Sequence, residues 1–355
     1  MRRIALLSMT LVALVALACT GGADGADEPS ATPTRQAGAS LTATPVATET
    51  PAMTPTRQPE LSNAPSYQEI PTYDGAGQAV HPDVAYFPGG WHGYTYWLAM
   101  TPYPYDTDSW ENPSVLASND GASWAAPPGV TNPLVPAPPC DHNSDPDIVY
   151  NPRTDELYLY YTEVRRSSRC GAGPNENYVK LITSPDGVHW SAPRTVMSFD
   201  LDTTPIYLSP SVVYRNGMFE IWMAGNAGPV VHATSSDGVT WSPLQEVSIE
   251  PVPWHLDVSY VASKAEYWML FVDSLSSGSS LRFATSKDGL RWMACPAPVL
   301  SPSQGWDNER IYRATFLYDE GRDLLRVWYS ARNGAAEWRI GYSEGGYTAL
   351  RNSRC

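Results

Sequence analysis

The sequence predicts an all-β protein, a five-bladed β-propeller, and three observations support this fold. A motif of the form Ser-x-Asp-Gly-x-x-Trp occurs four times, beginning at Ser118, Ser184, Ser235 and Ser286. The Asp residues of these copies, at positions 120, 186, 237 and 288, are 66, 51 and 51 positions apart, and an incomplete fifth copy begins at Ser343. A unit that recurs about every 50 residues is typical of a propeller blade. No stretch shows the apolar period of a long amphipathic helix.

Each motif copy is predicted to form a tight turn between two strands. Asp-Gly between β-rich runs favours such a turn because glycine adopts positive φ at little cost. The Trp of the motif follows on the outgoing strand, where its ring can cover the hairpin. Because the Asp recurs in four outer hairpins, we predict a structural role for it.

Each blade is expected to have four strands, a to d, with strand a innermost and the motif joining c to d. The predicted a strands begin at His81, Asp145, Ser209, His255 and Ile311. The predicted b strands begin at Tyr94, Leu157, Met218, Tyr267 and Leu325, and the c strands at Ser114, Tyr178, Val230, Leu281 and Trp338. The sequence leaves open whether residues 67–73 add an outer strand that closes the ring.

Two further segments precede the propeller, which is assigned to residues 67–355. Residues 1–19 have a basic start and an apolar core too short to span a bilayer comfortably, which indicates a signal peptide. Its end resembles a bacterial lipobox and implies a lipid on Cys19; the alternative is ordinary secretion. Residues 20–66 are rich in Thr, Pro and Ala, which predicts a disordered linker. We therefore expect an exported protein, lipid-anchored to a bacterial membrane and facing outside the cytoplasm.

The amino-acid composition indicates which class of ligand the protein can bind. The net charge of −14 over 355 residues argues against nucleic acid, whose phosphates require basic patches. The 13 Trp and 21 Tyr, against 6 Phe, suit platforms that stack on sugar rings, although blades also pack on such residues. We expect a monomer with a carbohydrate partner.

Four cysteines follow Cys19, and an even number in an exported protein indicates disulfides. Three pairings are open. Predicted blade geometry favours Cys140–Cys170, on one face of blade 2, and Cys295–Cys355, between blade 4 and the chain terminus.

Charged side chains recur at the predicted a-strand starts. One column contains Asp83, Asp147, Ser211, Asp257 and Arg313, and the column two residues earlier contains His81, Asp145, Ser209, His255 and Ile311. Residues two apart face the same side of a strand, so both columns are expected at one channel mouth. Such crowding shifts pKa values in the way acid–base chemistry requires. The alternatives are backbone capping by each Asp, core histidines, or a Ca²⁺ or other cation held in the channel.

The run Asp145-Pro-Asp-Ile-Val-Tyr150, together with the Asp-Gly turns, resembles the five-bladed propeller glycosidases, the arabinanase, levansucrase and invertase group of glycoside hydrolase families 43 and 32. The resemblance covers residues 82–342. In this group a blade 1 Asp is the general base, a blade 2 Asp modulates pKa and a blade 3 Glu is the general acid. Asp145 matches the modulator, whereas His81 stands at the base position and Ser209 at the acid position.

The resemblance implies hydrolysis of a glycosidic bond in a polysaccharide or oligosaccharide by paired carboxylates, with no cofactor required. The candidate catalytic residues are Asp83, Asp145, Asp147, Asp257 and Glu309. The candidate substrate-binding residues are His81, Glu111, His255, Arg310, Tyr312 and Arg313, with Glu111 also a replacement acid. The alternatives are a non-catalytic carbohydrate-binding lipoprotein and a protein-interaction scaffold.

Overall fold

The structure, a computed structural model, describes residues 58–171, 173, 175–226, 228–274 and 276–355. The predictions for Cys19, for the signal peptide and for the linker up to residue 57 lie outside this range. No helix of the described residues is both long and apolar enough to cross a membrane.

The chain forms five antiparallel sheets, one after another, as the repeat predicts. Blade 1 contains β1 (Ala79–Trp91), β2 (Tyr94–Pro102) and β3 (Ser114–Ser118). Blade 2 contains β4 (His142–Asn151), β5 (Glu156–Arg165), β6 (Glu176–Ser184) and β7 (Arg194–Asp200). Blade 3 contains β8 (Tyr207–Arg215), β9 (Met218–Gly225), β10 (Val231–Ser235) and β11 (Gln245–Glu246). Blade 4 contains β12 (His255–Val261), β13 (Glu266–Val272), β14 (Arg282–Ser286) and β15 (Trp292–Ala294). Blade 5 contains β16 (Arg310–Asp319), β17 (Leu324–Arg332) and β18 (Trp338–Gly346).

The five-bladed propeller is confirmed, but blades 1 and 5 have three strands each rather than four. At the outer edge of blade 5, Tyr67 pairs with Gly341 of β18, and the Gln68 amide donates to the Ile340 carbonyl at 2.8 Å. The segment before blade 1 therefore occupies the place of the missing strand and closes the ring.

Residues ahead of Tyr67 also pack against blade 5. Leu61 and Ala64 are buried, and the Ala64 amide donates to Tyr329 Oη at 2.8 Å. The Gly346 amide donates to the Pro59 carbonyl at 2.8 Å. The packed domain thus begins before residue 67, where the sequence placed its boundary.

The motif turns have the structural role predicted for them. In blade 3, Asp237 Oδ1 accepts the amides of Val239 at 2.8 Å and Thr240 at 2.7 Å. The Gly238 amide donates to Ser235 Oγ at 2.9 Å. The side chains of Ser and Asp thus satisfy the turn amides that no strand partner reaches.

The motif glycines also join neighbouring blades. Trp222 Nε1 of blade 3 donates to the Gly289 carbonyl of blade 4 at 2.8 Å, and Trp328 Nε1 of blade 5 donates to the Gly121 carbonyl of blade 1 at 2.9 Å. Tyr160 Oη makes the same contact with Gly238 at 2.7 Å. Each of these aromatic rings is fully buried on strand b of its blade. The apolar core therefore lies between blades, and hydrogen bonds to the repeated motif stabilise it.

Two disulfides and two helices complete the domain. The structure joins Cys140 to Cys170 and Cys295 to Cys355, the two pairs that the blade geometry favours. Helix α1 (Ser167–Cys170) carries the first bond, and helix α2 (Tyr347–Arg354) leads to the second.

The contact between the motif and the neighbouring blade predicts that two glycine substitutions lower the free energy of unfolding by different amounts. Gly187 (φ 74°) and Gly217 (φ 80°) both require left-handed backbone. A Cβ on Gly187 would lie 2.1 Å from the Trp97 ring, whereas one on Gly217 would have no atom within 4 Å. We expect Gly217→Ala to lower the free energy of unfolding by about 1 kcal/mol and Gly187→Ala by about 3 kcal/mol or more, measured by urea denaturation. Equal losses would show that the turn does not pack tightly on blade 1.

Candidate functional site

Three of the five inner strands bulge near their start. The pairing register shifts between Val80 and Asp83 in β1, and at the same place in β4 and β8. The first bulge residue has positive φ in each case: 54° at His81, 50° at Asp145 and 48° at Ser209. Positive φ is unfavourable for a residue with a Cβ, and a bulge re-aims its side chain. The bulges direct these three side chains toward the channel mouth.

The inner strand of blade 5 has a related irregularity, one residue away from the expected place and without positive φ at Tyr312 or Arg313. The register of β16 shifts between Ile311 and Ala314, so Tyr312 takes the position of His81 and Arg313 that of Pro82. The expected alignment of Ile311 with His81 is wrong by one residue. The cause is that no proline marks the bulge in this blade.

His81, Asp145 and His255 meet at the mouth. Asp145 Oδ1 lies 3.5 Å from His81 Nε2 and 3.0 Å from His255 Nδ1. Thr101 Oγ1 lies 3.0 Å from His81 Nδ1, and Ser209 Oγ donates to Asp145 Oδ1 at 3.0 Å. One ligand atom from each of the three residues falls within 4.8 Å of the other two. We call these three residues the mouth triad.

Burial sets the charge of the mouth triad. It lowers the pKa of His81 to about 3, so this imidazole is neutral near pH 7. Burial alone would raise the pKa of Asp145, but the surrounding imidazoles and the Arg313 guanidinium outweigh it and hold that pKa well below the ordinary value. The site therefore combines an ionised carboxylate with a neutral imidazole.

Glu111 stands beside the mouth triad. Its Oε1 lies 3.6 Å from His81 Nδ1, and its Oε2 lies 3.9 Å from His142 Nε2. Burial, followed by the charges of Asp145 and Asp108, raises the pKa of this carboxyl well above its ordinary value. A carboxyl so placed is suited to hold or release a proton near neutral pH.

The mouth triad and Glu111 line a cavity of about 270 Å³ together with Tyr103, His142, Trp254 and Tyr312. Of the predicted substrate-binding residues, His81, Glu111, His255 and Tyr312 thus lie at this cavity, and of the predicted catalytic residues only Asp145 does.

The other column is not at the mouth. Asp83, Asp147 and Asp257 line a separate cavity of about 280 Å³ that shares no lining residue with the first. The expectation that both columns face one mouth is wrong. Residues two apart on an inner strand lie at different depths, and His255 and Asp257 are separated in the same way although β12 has no bulge.

These deeper carboxylates join neighbouring blades. Asp83 Oδ2 accepts the Ile148 amide at 2.5 Å, and Asp147 Oδ2 accepts the Val212 amide at 3.0 Å. Asp83 and Asp147 thus have the geometry of backbone caps on the next blade, the alternative that the sequence left open. Asp257 differs, because its Oδ1 accepts Ser211 Oγ of the preceding blade at 3.2 Å.

Arg313 lies between the two layers and is buried. Its guanidinium nitrogens lie 3.6 Å from Asp145 Oδ1 and 3.6 Å from Asp147 Oδ1, and one donates to the Pro210 carbonyl at 3.1 Å. It is therefore an internal counter-charge and not an exposed clamp for substrate.

Glu309 and Arg310 lie outside the lining of the mouth cavity. Glu309 Oε1 pairs with Arg310 at 2.9 Å, and its Oε2 pairs with Arg332. Glu309 is thus engaged by two guanidinium groups away from the mouth triad, and the structure does not place it as the replacement acid.

Sequence reasoning missed several lining residues, among them Trp254, Asn226 and His142. The sequence signal for Trp254 and His142 is closeness to predicted site residues, since Trp254 directly precedes His255 and His142 stands three residues before Asp145. A second cluster, Asp108, Asp141 and His142, lies at the rim. Asp141 there is occupied by Arg166, which donates to both carboxylate oxygens at 2.6 Å.

The donor set of the mouth triad fits a divalent transition-metal ion. Two imidazoles and one carboxylate are a common ligand set for such ions. Nε2 of His81 and Nε2 of His255 are buried and have no hydrogen-bond partner among the described residues. The deeper aspartates fit less well, because amide or hydroxyl donors already occupy their oxygens and Arg313 supplies the positive charge.

Comparison with known proteins places this arrangement in context. No protein-family model matches the chain. It is 32% identical over 376 residues to the A type blood N-acetyl-alpha-D-galactosamine deacetylase of Flavonifractor plautii, a match covering 82% of this chain and 48% of that protein. The chain thus spans about half the length of the curated relative it matches.

Solved structures give the same relationship. An N-acetylgalactosamine deacetylase from F. plautii, in complex with blood group B trisaccharide, superposes with a TM-score of 0.73 and 30% identity, covering 81% of this chain and 96% of that one. The catalytic domain of a GH62 α-L-arabinofuranosidase of Coprinopsis cinerea matches with a TM-score of 0.57 and 14% identity, covering 81% and 97% of the two chains. A thermostable family-43 glycoside hydrolase matches at 0.55 and 12%, covering 79% and 91%. The last two show the fold alone, which is that of the five-bladed propeller glycosidases.

The deeper carboxylates predict an unusual pH dependence of stability. Burial, followed by the charge of Asp83, raises the pKa of Asp257 to about 8. The folded protein thus keeps a proton that the unfolded chain loses near pH 4, so this contribution to stability falls as pH rises from about 4 to about 8. The side chain introduced by Asp257→Asn cannot ionise. We therefore expect the free energy of unfolding of this variant, relative to that of the parent, to be at least about 1 kcal/mol higher at pH 8 than at pH 5, measured by urea denaturation.

Asp288→Asn is the matched control. Backbone donors from Arg291 and Leu290 lower the pKa of this turn carboxylate, so removing its charge is expected to reduce stability at both pH values. A gain for Asp257→Asn that is the same at pH 5 and pH 8 would contradict the buried-proton account.

Proposed function

We propose, because this chain belongs to the same family as the N-acetylgalactosamine deacetylase of Flavonifractor plautii, that it is a carbohydrate-active hydrolase that removes the acetyl group from an acetamido sugar of a glycan. The observation that carries this proposal is the mouth triad, His81, Asp145 and His255, buried at the opening of the channel beside Glu111. An amide bond is stable in water, so its hydrolysis calls for activation of the carbonyl, of the attacking water, or of both.

The mouth triad would hold a divalent metal ion through its carboxylate and its two imidazoles. Such an ion, when bound, supplies the Lewis acidity that polarises a carbonyl oxygen and acidifies a water molecule. The neutral state of His81 leaves its ring nitrogen free to act as a ligand.

Glu111 is positioned to move the proton. The reaction adds water across the amide bond: an oxygen of water attacks the carbonyl carbon, the carbon–nitrogen bond breaks, and a proton must reach the departing nitrogen. Glu111 would accept a proton from the water and deliver it to the nitrogen, giving an amine and acetate. Its place 3.6 Å from His81, in the cavity of the mouth triad, supports this role.

Hydrolysis of a glycosidic bond is the second candidate, and one observation favours it. Glu111 and Asp145 are two carboxyl groups in the same cavity, as a glycosidase requires. Against it, Asp145 is held between two imidazoles and Arg313 and has less freedom to act as a base or nucleophile.

One assay separates these functions. Purified protein is incubated with the methyl α-glycoside of N-acetylgalactosamine and with an A-type trisaccharide, and acetate and new reducing ends are measured in parallel. We expect acetate without new reducing ends, loss of acetate release on treatment with a chelator, and its return with added Zn²⁺ or Mn²⁺. Glu111→Gln should lower kcat by about 10²–10⁴-fold because the amide cannot carry the proton. Tyr86→Ala, an exposed tyrosine outside the mouth cavity, is the control and should leave the rate unchanged.

New reducing ends without acetate would replace the proposal with glycosidic hydrolysis. Glycan binding without either product would favour the carbohydrate-binding lipoprotein, and neither binding nor products would favour the scaffold.

The cellular location is a separate proposal. Export and lipidation at Cys19 would hold the domain at the outside of a bacterial membrane, where extracellular glycans are available. We expect Cys19→Ser to move the protein from the membrane pellet to the soluble fraction and to abolish incorporation of a labelled fatty acid. Membrane pelleting of the variant equal to that of the parent would contradict the lipid anchor.

A further inference from the structure

A second cavity adjoins the mouth cavity. It has a volume of about 620 Å³, within the range of ligand pockets, and its wall is formed by two loops of blades 3 and 4. Asn226 and Trp254 line both cavities. The two cavities therefore share part of their walls.

The wall of the second cavity is mostly apolar. It is formed by Gly225, Gly228, Pro229, Val252 and Pro253, with the Trp254 ring at the junction. Asp273 is the one ionisable residue that lines it, and Arg282 Nε donates to its carboxylate at 2.8 Å. Such a wall has little to offer a charged group, whereas an apolar face beside an aromatic ring suits the C–H face of a sugar.

The loops that carry this wall are held in place. The Trp254 amide donates to the Val272 carbonyl at 2.7 Å, and the Asn226 amide donates to the Ile206 carbonyl at 2.8 Å. A Cβ on Gly225 would lie 2.7 Å from the Pro229 carbonyl oxygen, so glycine is what permits this tight loop. The described residues at these points of the wall are thus tied to the blades.

We propose that the second cavity binds the sugar unit next to the acetamido sugar, with Trp254 as its stacking platform. The proposal rests on the function proposed above and deepens it: the substrate is an oligosaccharide of at least two units, not a free monosaccharide. Trp254 stands next to His255, with ring centroids 5.8 Å apart at 89°, and lines both cavities, so a ligand that spans them would contact the indole. Trp254 is in this account a specificity-determining residue, and the chemical step does not use it.

The test compares two substrates that share one reacting sugar. The A-type trisaccharide carries N-acetylgalactosamine at its end, and the methyl α-glycoside carries the same sugar alone. We expect Trp254→Ala to lower kcat/KM for the trisaccharide by about 10- to 100-fold more than it lowers kcat/KM for the methyl glycoside, chiefly through KM. Trp254→Phe, which retains an aromatic face, should restore most of the loss. Tyr86→Ala, an exposed aromatic residue that lines neither cavity, is the matched control.

Val252→Asp is a second variant that avoids any folding defect of Trp254→Ala, because Val252 is 39% exposed. It places a charge on the apolar wall and should also weaken use of the trisaccharide alone. Equal losses on both substrates, or no loss on either, would overturn the proposal. If the parent releases no acetate at all, the proposed function fails, and calorimetric binding of the same two sugars tests the subsite by itself. Tighter binding of the trisaccharide that is abolished by Trp254→Ala would support the subsite. Equal affinities for the two sugars would overturn it.

Discussion

The buried guanidinium of Arg313 is the interaction on which the channel depends. It lies 3.6 Å from Asp145 in the upper layer and 3.6 Å from Asp147 in the lower layer. A buried ion is costly unless it is paired, and this one counter-charge serves both layers. One positive charge cannot neutralise four carboxylates, and burial raises the pKa values of Asp83, Asp147 and Asp257. Asp257, with a pKa of about 8, keeps a proton near pH 7, whereas Asp145 remains ionised.

This division of charge separates two tasks. Asp83 and Asp147 cap amides of the following blade, and Asp257 accepts a hydroxyl of the preceding one. Thr315 Oγ1 of blade 5 donates to Asp83 Oδ1 of blade 1 at 3.0 Å, which links the ends of the ring. The upper layer offers ligands and a proton carrier to the mouth. Bulges at His81, Asp145 and Ser209 lie in the upper layer, and their positive φ values are local backbone strain, whereas β12 brings His255 to the same layer without a bulge.

The repeat allowed the blades, the turns and most strand positions to be predicted, since Asp-Gly chemistry and β-rich runs are local signals. The site was harder for a physical reason. Asp145 and Asp147 look alike in sequence, but residues two apart on an inner strand lie at different depths and therefore in different layers. In blade 5 the absence of proline hid the bulge, which misplaced Tyr312 and Arg313. Trp254 and Glu111 reach the mouth from loops, where no period indicates direction.

The central claim is that His81, Asp145 and His255 form the functional centre and that the lower aspartates only hold the blades. Its most direct test is the number of divalent metal ions bound per chain, measured by elemental analysis after dialysis against Zn²⁺ and then against metal-free buffer. The account predicts one tightly bound ion in the parent and in Asp147→Asn, and none in His255→Ala. Retention of the ion by His255→Ala, or its loss from a folded Asp147→Asn, would contradict the account.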